Sequence, residues 1–251
     1  MGEPGVPPRR LGWMESGLLA RLTGAPAETG IVLDVDGTLA PIVLRPEDAE
    51  VPPKTKRELE RLANRYALVA CVSGRTGDDA ARLVGVEGVV YVGVHGLELD
   101  PRAAEWRPRL HAFAAGVGWP VEDKGVAVAF HYRAADDEAA ARAELERVAE
   151  RARAEGLDAR FGRKVLEVRP PVEADKGEAV RRLLAGRGLR RGVYAGDDTT
   201  DLDAFRGLSE AGLDITVRVA VASTEAPPQL VASADLVVDG PAGVLDLLRS
   251  L

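Results

Sequence analysis

Two short acidic clusters stand out in this 251-residue chain, Asp34-Val35-Asp36-Gly37-Thr38 and Gly196-Asp197-Asp198-Thr199-Thr200-Asp201. Each follows an apolar run, Gly30-Ile31-Val32-Leu33 in the first case and Gly192-Val193-Tyr194-Ala195 in the second. Carboxylates this close repel unless a cation or a proton offsets them. Mg2+, a hard ion that takes carboxylate and phosphate oxygens, is the natural cation. Taken singly, either cluster could be turn formers or acids dressing a helix start. Two of them, each after a buried strand of one sheet, point to a shared metal site, provided that both strands run parallel.

A metal that binds phosphate oxygens calls for anion-binding groups nearby. Ser73 follows another apolar run, so its hydroxyl and the amides of Gly74 and Arg75 could hold a phosphoryl oxygen at a helix start. Lys176 follows Asp175 where a helix begins. A lysine there opposes the helix dipole, which suggests that it serves something else.

The elements that must position these residues are legible in outline. Short apolar runs over residues 30–34, 67–72 and 89–94 read as buried strands, separated by amphipathic helices over 52–65 and 77–84, the second capped by Thr76. A short helix over 15–22 precedes them. This alternation is that of a doubly wound, Rossmann-like parallel α/β sheet. Residues 98–106 then read as a hairpin, 112–116 as a short helix, 121–133 as a half-exposed strand, 136–155 as a helix and 160–169 as a second hairpin. The first texture returns with helix 176–185, strand 192–195, helix 200–208, strand 215–221, strand 236–238 and helix 241–248. The expected organisation is a core of residues 1–99 and 172–251, interrupted by a small α+β cap over 100–171.

Composition narrows the function classes. A net charge of −7 and a pI near 5.2 leave no electrostatic footprint for nucleic acid. No apolar stretch approaches the ~18 residues needed to cross a bilayer. Residues 1–10 hold three prolines and no apolar signal core, so a cytoplasmic protein is expected. The single cysteine, Cys71, lies in an apolar run and reads as a small buried hydrophobe. Packing is the expected role of Trp13, Trp106 and Trp119. The near-absence of Asn and Gln fits either a thermophile or a GC-rich genome.

The quartet Asp34-Val35-Asp36-Gly37-Thr38, Ser73, Lys176 and Gly196-Asp197-Asp198 with Asp201 resembles, in order, the four motifs of the haloacid dehalogenase superfamily. The resemblance implies that Asp34 is the nucleophile and that Asp36 protonates the leaving alcohol, then activates water. It implies that Ser73, Gly74 and Lys176 hold the phosphoryl group. Mg2+ would sit on Asp34, the backbone carbonyl of Asp36 and Asp197, with Asp201 in support.

Within that superfamily the chain resembles trehalose-6-phosphate phosphatases. The resembling stretches include Val92-Gly93-Val94-His95-Gly96-Leu97-Glu98, Val121-Glu122-Asp123-Lys124-Gly125, His131-Tyr132-Arg133, Val165-Leu166-Glu167-Val168-Arg169-Pro170 and Asp175-Lys176-Gly177. By that likeness Glu122, Lys124, Arg133 and Glu167 bind the distal sugar, with Arg163 or Lys164 near the place of a further family lysine. The expected partner is a small sugar phosphate, the expected assembly a monomer, and cap motion about residues 97–101 and 170–174 is expected. Two alternatives remain at this point: a phosphatase for another sugar phosphate, of mannosylglycerate or sucrose type, and a non-catalytic phosphosugar-binding regulatory domain.

Overall fold

Apolar runs bounded by glycine and acidic residues form strands buried on both faces, as interior strands of a parallel sheet must be. The computed structural model describes residues 9–10, 17–43, 45–162, 164–223 and 226–251; Trp13 and Arg163 lie outside the described residues. A two-residue strand β1 (Arg9–Arg10) and helix α1 (Gly17–Thr23) come first. Strands and helices then alternate: β2 (Thr29–Leu33), α2 (Pro53–Ala63), β3 (Leu68–Val72), α3 (Gly77–Val84) and β4 (Val90–Val92). The texture changes at α4 (Pro101–Ala104) and α5 (Arg107–Ala115), followed by β5 (Glu122–Asp123), β6 (Val128–His131), α6 (Glu138–Ala154), β7 (Asp158–Gly162) and β8 (Val165–Arg169). Alternation resumes with α7 (Lys176–Leu184), β9 (Arg191–Gly196), α8 (Asp201–Ser209), β10 (Ile215–Ala222), α9 (Pro228–Ser233), β11 (Leu236–Asp239) and α10 (Gly240–Ser250).

These elements divide into two compact units, Met1–Gly96 with Asp175–Leu251, and Leu97–Ala174. The first holds an all-parallel sheet in the order β1-β11-β10-β9-β2-β3-β4. The chain grows outward from β2 through β3 to β4, then returns to the other side of β2 with β9. Strand order therefore reverses between β2 and β9. In open parallel sheets the crevice at such a reversal, beyond the carboxyl ends of the strands, is where ligands bind. The aliphatic core, including Ile31, Leu33, Leu59, Leu62, Val69, Val193, Val217, Val219, Leu247 and Leu248, fixes strand register beneath that edge.

The second unit carries an antiparallel sheet, β5-β6-β8-β7. Val128, Phe130, Leu166 and Val168 pack with Leu145, Ala149 and Ala152 of α6 and with Leu110 and Phe113 of α5. The hairpin expected over 98–106 is instead helical. Asp100 Oδ1 accepts a hydrogen bond from the Arg102 amide at 2.9 Å, and Pro101 occupies the first helical turn of α4, where its missing N–H costs nothing. The single strand expected over 121–133 is two strands. Gly125, at φ 74°, turns the chain back, and the Lys124 amide bonds the Ala127 carbonyl at 2.9 Å. Trp106 and Trp119 pack at the margin of this unit's core, the latter donating to the His131 carbonyl at 2.9 Å.

Where the chain leaves the parallel sheet, Val94, His95 and Gly96 take φ values of 48°, 52° and 95° in succession. A β-branched residue in the left-handed region is strained and persists only when its surroundings hold it there. Here the Val94 amide bonds the Arg75 carbonyl at 2.8 Å and the His95 amide bonds the Ser73 carbonyl at 2.9 Å.

Candidate active and metal site

The parallel register brings the two acidic clusters together. Leu33 lies beside Ala195, and the Asp34 amide donates to the Ala195 carbonyl at 2.9 Å. Asp34 and Asp197 thus leave adjacent strands at the same edge. Asp34, Asp197 and Asp201 are all buried, and one carboxylate oxygen from each lies within 4.8 Å of the other two. Gly37, at φ 88°, closes the turn after Asp36; a Cβ there would meet the Asp197 carboxylate at 2.2 Å. Only glycine allows that approach.

Lys176 reaches this cluster from the start of α7. Two glycines set its position: a Cβ on Gly207 of α8 would lie 2.0 Å from the Gly177 carbonyl oxygen, so the helices meet backbone to backbone. Its Nζ lies 2.7 Å from Asp34 Oδ1 and 2.7 Å from Asp201 Oδ1, with Asp198 Oδ1 at 3.9 Å. Asp201 Oδ1 also accepts the Tyr194 hydroxyl at 2.6 Å. The unfavourable lysine at a helix start is explained by these carboxylates.

One ammonium does not balance the carboxylates around it. Burial drives the Asp34 carboxyl well above its ordinary value, and the opposing pull of Lys176 does not cancel this rise, to which Asp201, Asp197 and Asp198 add. Burial, with Asp201 and Asp198 nearby, raises Asp197 to about 7. Burial acts against the Lys176 ammonium, yet Asp201 and Asp34 hold it well above the usual lysine range. Asp197 Oδ1 is buried with no hydrogen-bond partner among the described residues. A buried carboxylate oxygen without a donor, in an all-oxygen cluster of excess negative charge, fits a hard divalent cation.

The remaining predicted core residues lie on the neighbouring loop or beside it. Ser73 is buried just past β3, and its Oγ accepts from the Arg75 amide at 3.1 Å. That amide, expected to face a phosphoryl oxygen, is thus engaged within the loop, while the Ser73 hydroxyl keeps its own hydrogen to donate. Gly74 stands between Ser73 and Arg75. The Asp36 side chain is outside the carboxylate trio: both its oxygens are gripped by the Arg75 guanidinium, at 2.8 and 2.7 Å. Arg75 and Tyr194 are the residues that reading the sequence missed as side chains of the site. Neither has a spacing signal, because their partners come from other strands and loops.

In the Leu97–Ala174 unit, strand register pairs Glu122 and Glu167 with opposite sides of Ala129, placing both on one face of the small sheet. Lys124 Nζ lies 3.1 Å from Glu167 Oε1, both side chains being largely buried. Glu122 Oε2 meets His131 Nε2 at 2.7 Å. Arg133 is exposed in the turn after β6, and Lys164, at φ 57°, pairs with Glu138 at 2.6 Å.

A parallel sheet that reverses order at an acidic strand edge, interrupted by a small antiparallel unit, is the fold of the haloacid dehalogenase-like hydrolases. Comparison with known proteins narrows this. The family model described as trehalose-phosphatase matches residues 32–115 and 114–240. The chain belongs to the trehalose-phosphatase family. It is 35% identical over 231 aligned residues to a trehalose-phosphate phosphatase of Mycobacterium tuberculosis, an alignment that covers 82% of this chain and 56% of that longer protein. A trehalose 6-phosphate phosphatase of Zea mays is 31% identical, with 87% and 68% covered. The solved C-terminal domain of the trehalose-6-phosphate phosphatase of C. albicans shares the fold at a TM-score of 0.69 and 23% identity, covering 97% of both chains. Among the described residues no helix is long and apolar enough to cross a membrane.

Proposed function

We infer that the chain is a Mg2+-dependent phosphatase that converts trehalose 6-phosphate to trehalose and phosphate through an aspartyl-phosphate intermediate. The observation that carries this reading is the convergence of Asp34, Asp197 and Asp201 around Lys176 at the strand-order reversal, in a member of this family.

Asp34 is the nucleophile: its carboxylate oxygen attacks phosphorus, the bond from phosphorus to the sugar oxygen breaks, and Asp36 delivers a proton to that oxygen. The free sugar leaves, and an acyl phosphate stands on Asp34. Asp36, now ionised, takes a proton from a water whose oxygen attacks phosphorus; the bond to Asp34 breaks and phosphate departs. A carboxylate nucleophile in this way divides one difficult displacement into two easier ones. Ser73 and the Gly74 backbone orient the phosphoryl oxygens, and Lys176 offsets their charge while aligning Asp34. Asp34, Asp197 and the Asp36 carbonyl would hold Mg2+, with Asp201 in support, and the bound ion supplies positive charge against the phosphoryl oxygens. The Leu97–Ala174 unit acts as the cap. Its Glu122, Lys124, Arg133 and Glu167 hold the distal sugar, since carboxylate oxygens accept hydrogen bonds from sugar hydroxyls over a range of directions. A cytoplasmic monomer acting on a small sugar phosphate completes the reading.

Phosphate release from trehalose 6-phosphate, glucose 6-phosphate and sucrose 6-phosphate, each with Mg2+ and with EDTA, tests it. EDTA-sensitive release with clear preference for trehalose 6-phosphate is expected. Equal rates on all three would reject the substrate, and release unaffected by EDTA would reject the metal.

A further inference from the structure

We propose that Tyr194 is a positioning residue, one that fixes Asp201 as a brace for Lys176 rather than as a direct metal ligand; the proposal rests on the function inferred above. Asp201 is fully buried, and three donors converge on it. Oδ1 accepts from Lys176 Nζ at 2.7 Å and from the Tyr194 hydroxyl at 2.6 Å, and Oδ2 accepts from the Asp198 amide at 2.9 Å. A carboxylate offers about four acceptor directions, so most of this one's capacity is taken by protein donors. Asp197 contrasts with it, having a buried oxygen without a partner among the described residues.

The surroundings allow Asp201 little rotation. A Cβ on Gly196 would lie 2.2 Å from Asp201 Cγ, so the carboxylate presses on the backbone of β9. Tyr194 stands two residues earlier on the same face of β9, fully buried, its ring edge-on to Phe205 of α8 with centroids 6.1 Å apart. A phenol hydroxyl is buried without cost only when it finds a partner, and this one is spent on Asp201. The result is a chain of contacts, Tyr194 to Asp201 to Lys176 to Asp34, in which Nζ is equidistant from two carboxylates. Removing the hydroxyl frees an acceptor on Oδ1 and lets the Lys176 ammonium shift away from the line it holds toward Asp34.

Tyr194→Phe deletes one oxygen and preserves shape. For this variant we expect kcat on trehalose 6-phosphate to fall about 5- to 30-fold, the loss of one hydrogen bond to a charged group, with KM within about twofold. Mg2+ affinity, measured by calorimetry on the unloaded protein, should stay within about threefold. Phe205→Leu disturbs the same packing and leaves the hydroxyl in place, so its kcat should stay near wild type. The proposal is overturned if Tyr194→Phe keeps wild-type kcat, if Phe205→Leu loses as much, or if Mg2+ affinity falls in step with kcat, which would make Asp201 a ligand. A stability cycle reads the contact without turnover. Tyr194→Phe and Lys176→Gln, with Lys176→Arg as the alternative partner, should change the urea unfolding constant non-multiplicatively by about fivefold or more in EDTA. Multiplicative effects would refute the chain of contacts even if no phosphate ester proved to be a substrate. A wild type inactive on every ester, with that coupling intact, would refute the function alone.

Discussion

Replacing Asp197 by asparagine should change how the metal-free protein responds to pH, and the size of the change follows from the site. Burial and the neighbouring carboxylates raise Asp197 from 3.8 to about 7. Below pH ~4 the group is protonated in the folded and unfolded chain alike and makes no difference to stability. Between pH ~4 and ~7 the unfolded chain ionises it while the fold resists, so stability falls as pH rises; above that range the penalty is constant. About three pH units at 1.36 kcal/mol each amount to a loss on the order of 4 kcal/mol, a large part of the 5–15 kcal/mol that a typical domain has. Urea unfolding followed by far-UV circular dichroism in EDTA, from pH 4 to 8, measures this. The wild type should lose on the order of 4 kcal/mol more than Asp197→Asn over that range. Saturating Mg2+ should flatten the wild-type curve and leave the variant's unchanged. Parallel curves for the two proteins in EDTA would refute the argument that this carboxyl resists ionisation in the fold.

Three further outcomes are expected. Asp34→Asn should abolish phosphate release and yet raise metal-free stability at pH 8, because it removes a buried carboxylate that resists ionisation; thermal melts in EDTA check the sign. Arg75→Ala frees both oxygens of Asp36 and should lower kcat about 10- to 100-fold with little change in KM, and Arg75→Lys should recover only part, as steady-state kinetics will show. Glu167→Gln should cut kcat/KM for trehalose 6-phosphate about 10- to 100-fold and leave hydrolysis of p-nitrophenyl phosphate near wild type, since the lost contact is to the sugar.

The parts of the fold that could be read from sequence are those where a single stretch carries its own signal. Buried strands such as Thr29–Leu33 and Leu68–Val72 are apolar runs with turn residues at each end. Thr76 caps α3 as its position implied, accepting from the Asp79 amide at 3.1 Å. Element ends moved by one to three residues, as at α2, expected over 52–65 and found at Pro53–Ala63. The larger misses lie in the Leu97–Ala174 unit. The cue for α4, Asp100 followed by Pro101, was present but outweighed by Gly- and Pro-free alternation in its neighbours. Helix α9 spans six residues, too few to show a periodic face. The convergence of Asp34 with Asp197 depends on β2 and β9 pairing directly across 160 residues of sequence, which no local pattern states. The Arg75 grip on Asp36 and the Tyr194 hydroxyl on Asp201 depend on that same long-range register.

Charge balance ties these observations into one argument about how the site is switched on. An acidic chain of net charge −7 must admit an anionic substrate. Its site sets one buried ammonium against three buried carboxylates, with Asp198 close by. Without a cation, protons do the balancing: Asp197 takes one up near neutrality, and Asp34, raised well above the ordinary range, is held back from the ionised form a nucleophile needs. A divalent cation replaces those protons, since carboxylate ligands must be deprotonated to bind it. Binding of the metal and ionisation of the nucleophile are on this account one equilibrium. Protons should therefore be released when Mg2+ binds, and the metal-free site should be both neutralised and inert. The same excess of negative charge that opposes an unassisted phosphate ester makes the site depend on its cation.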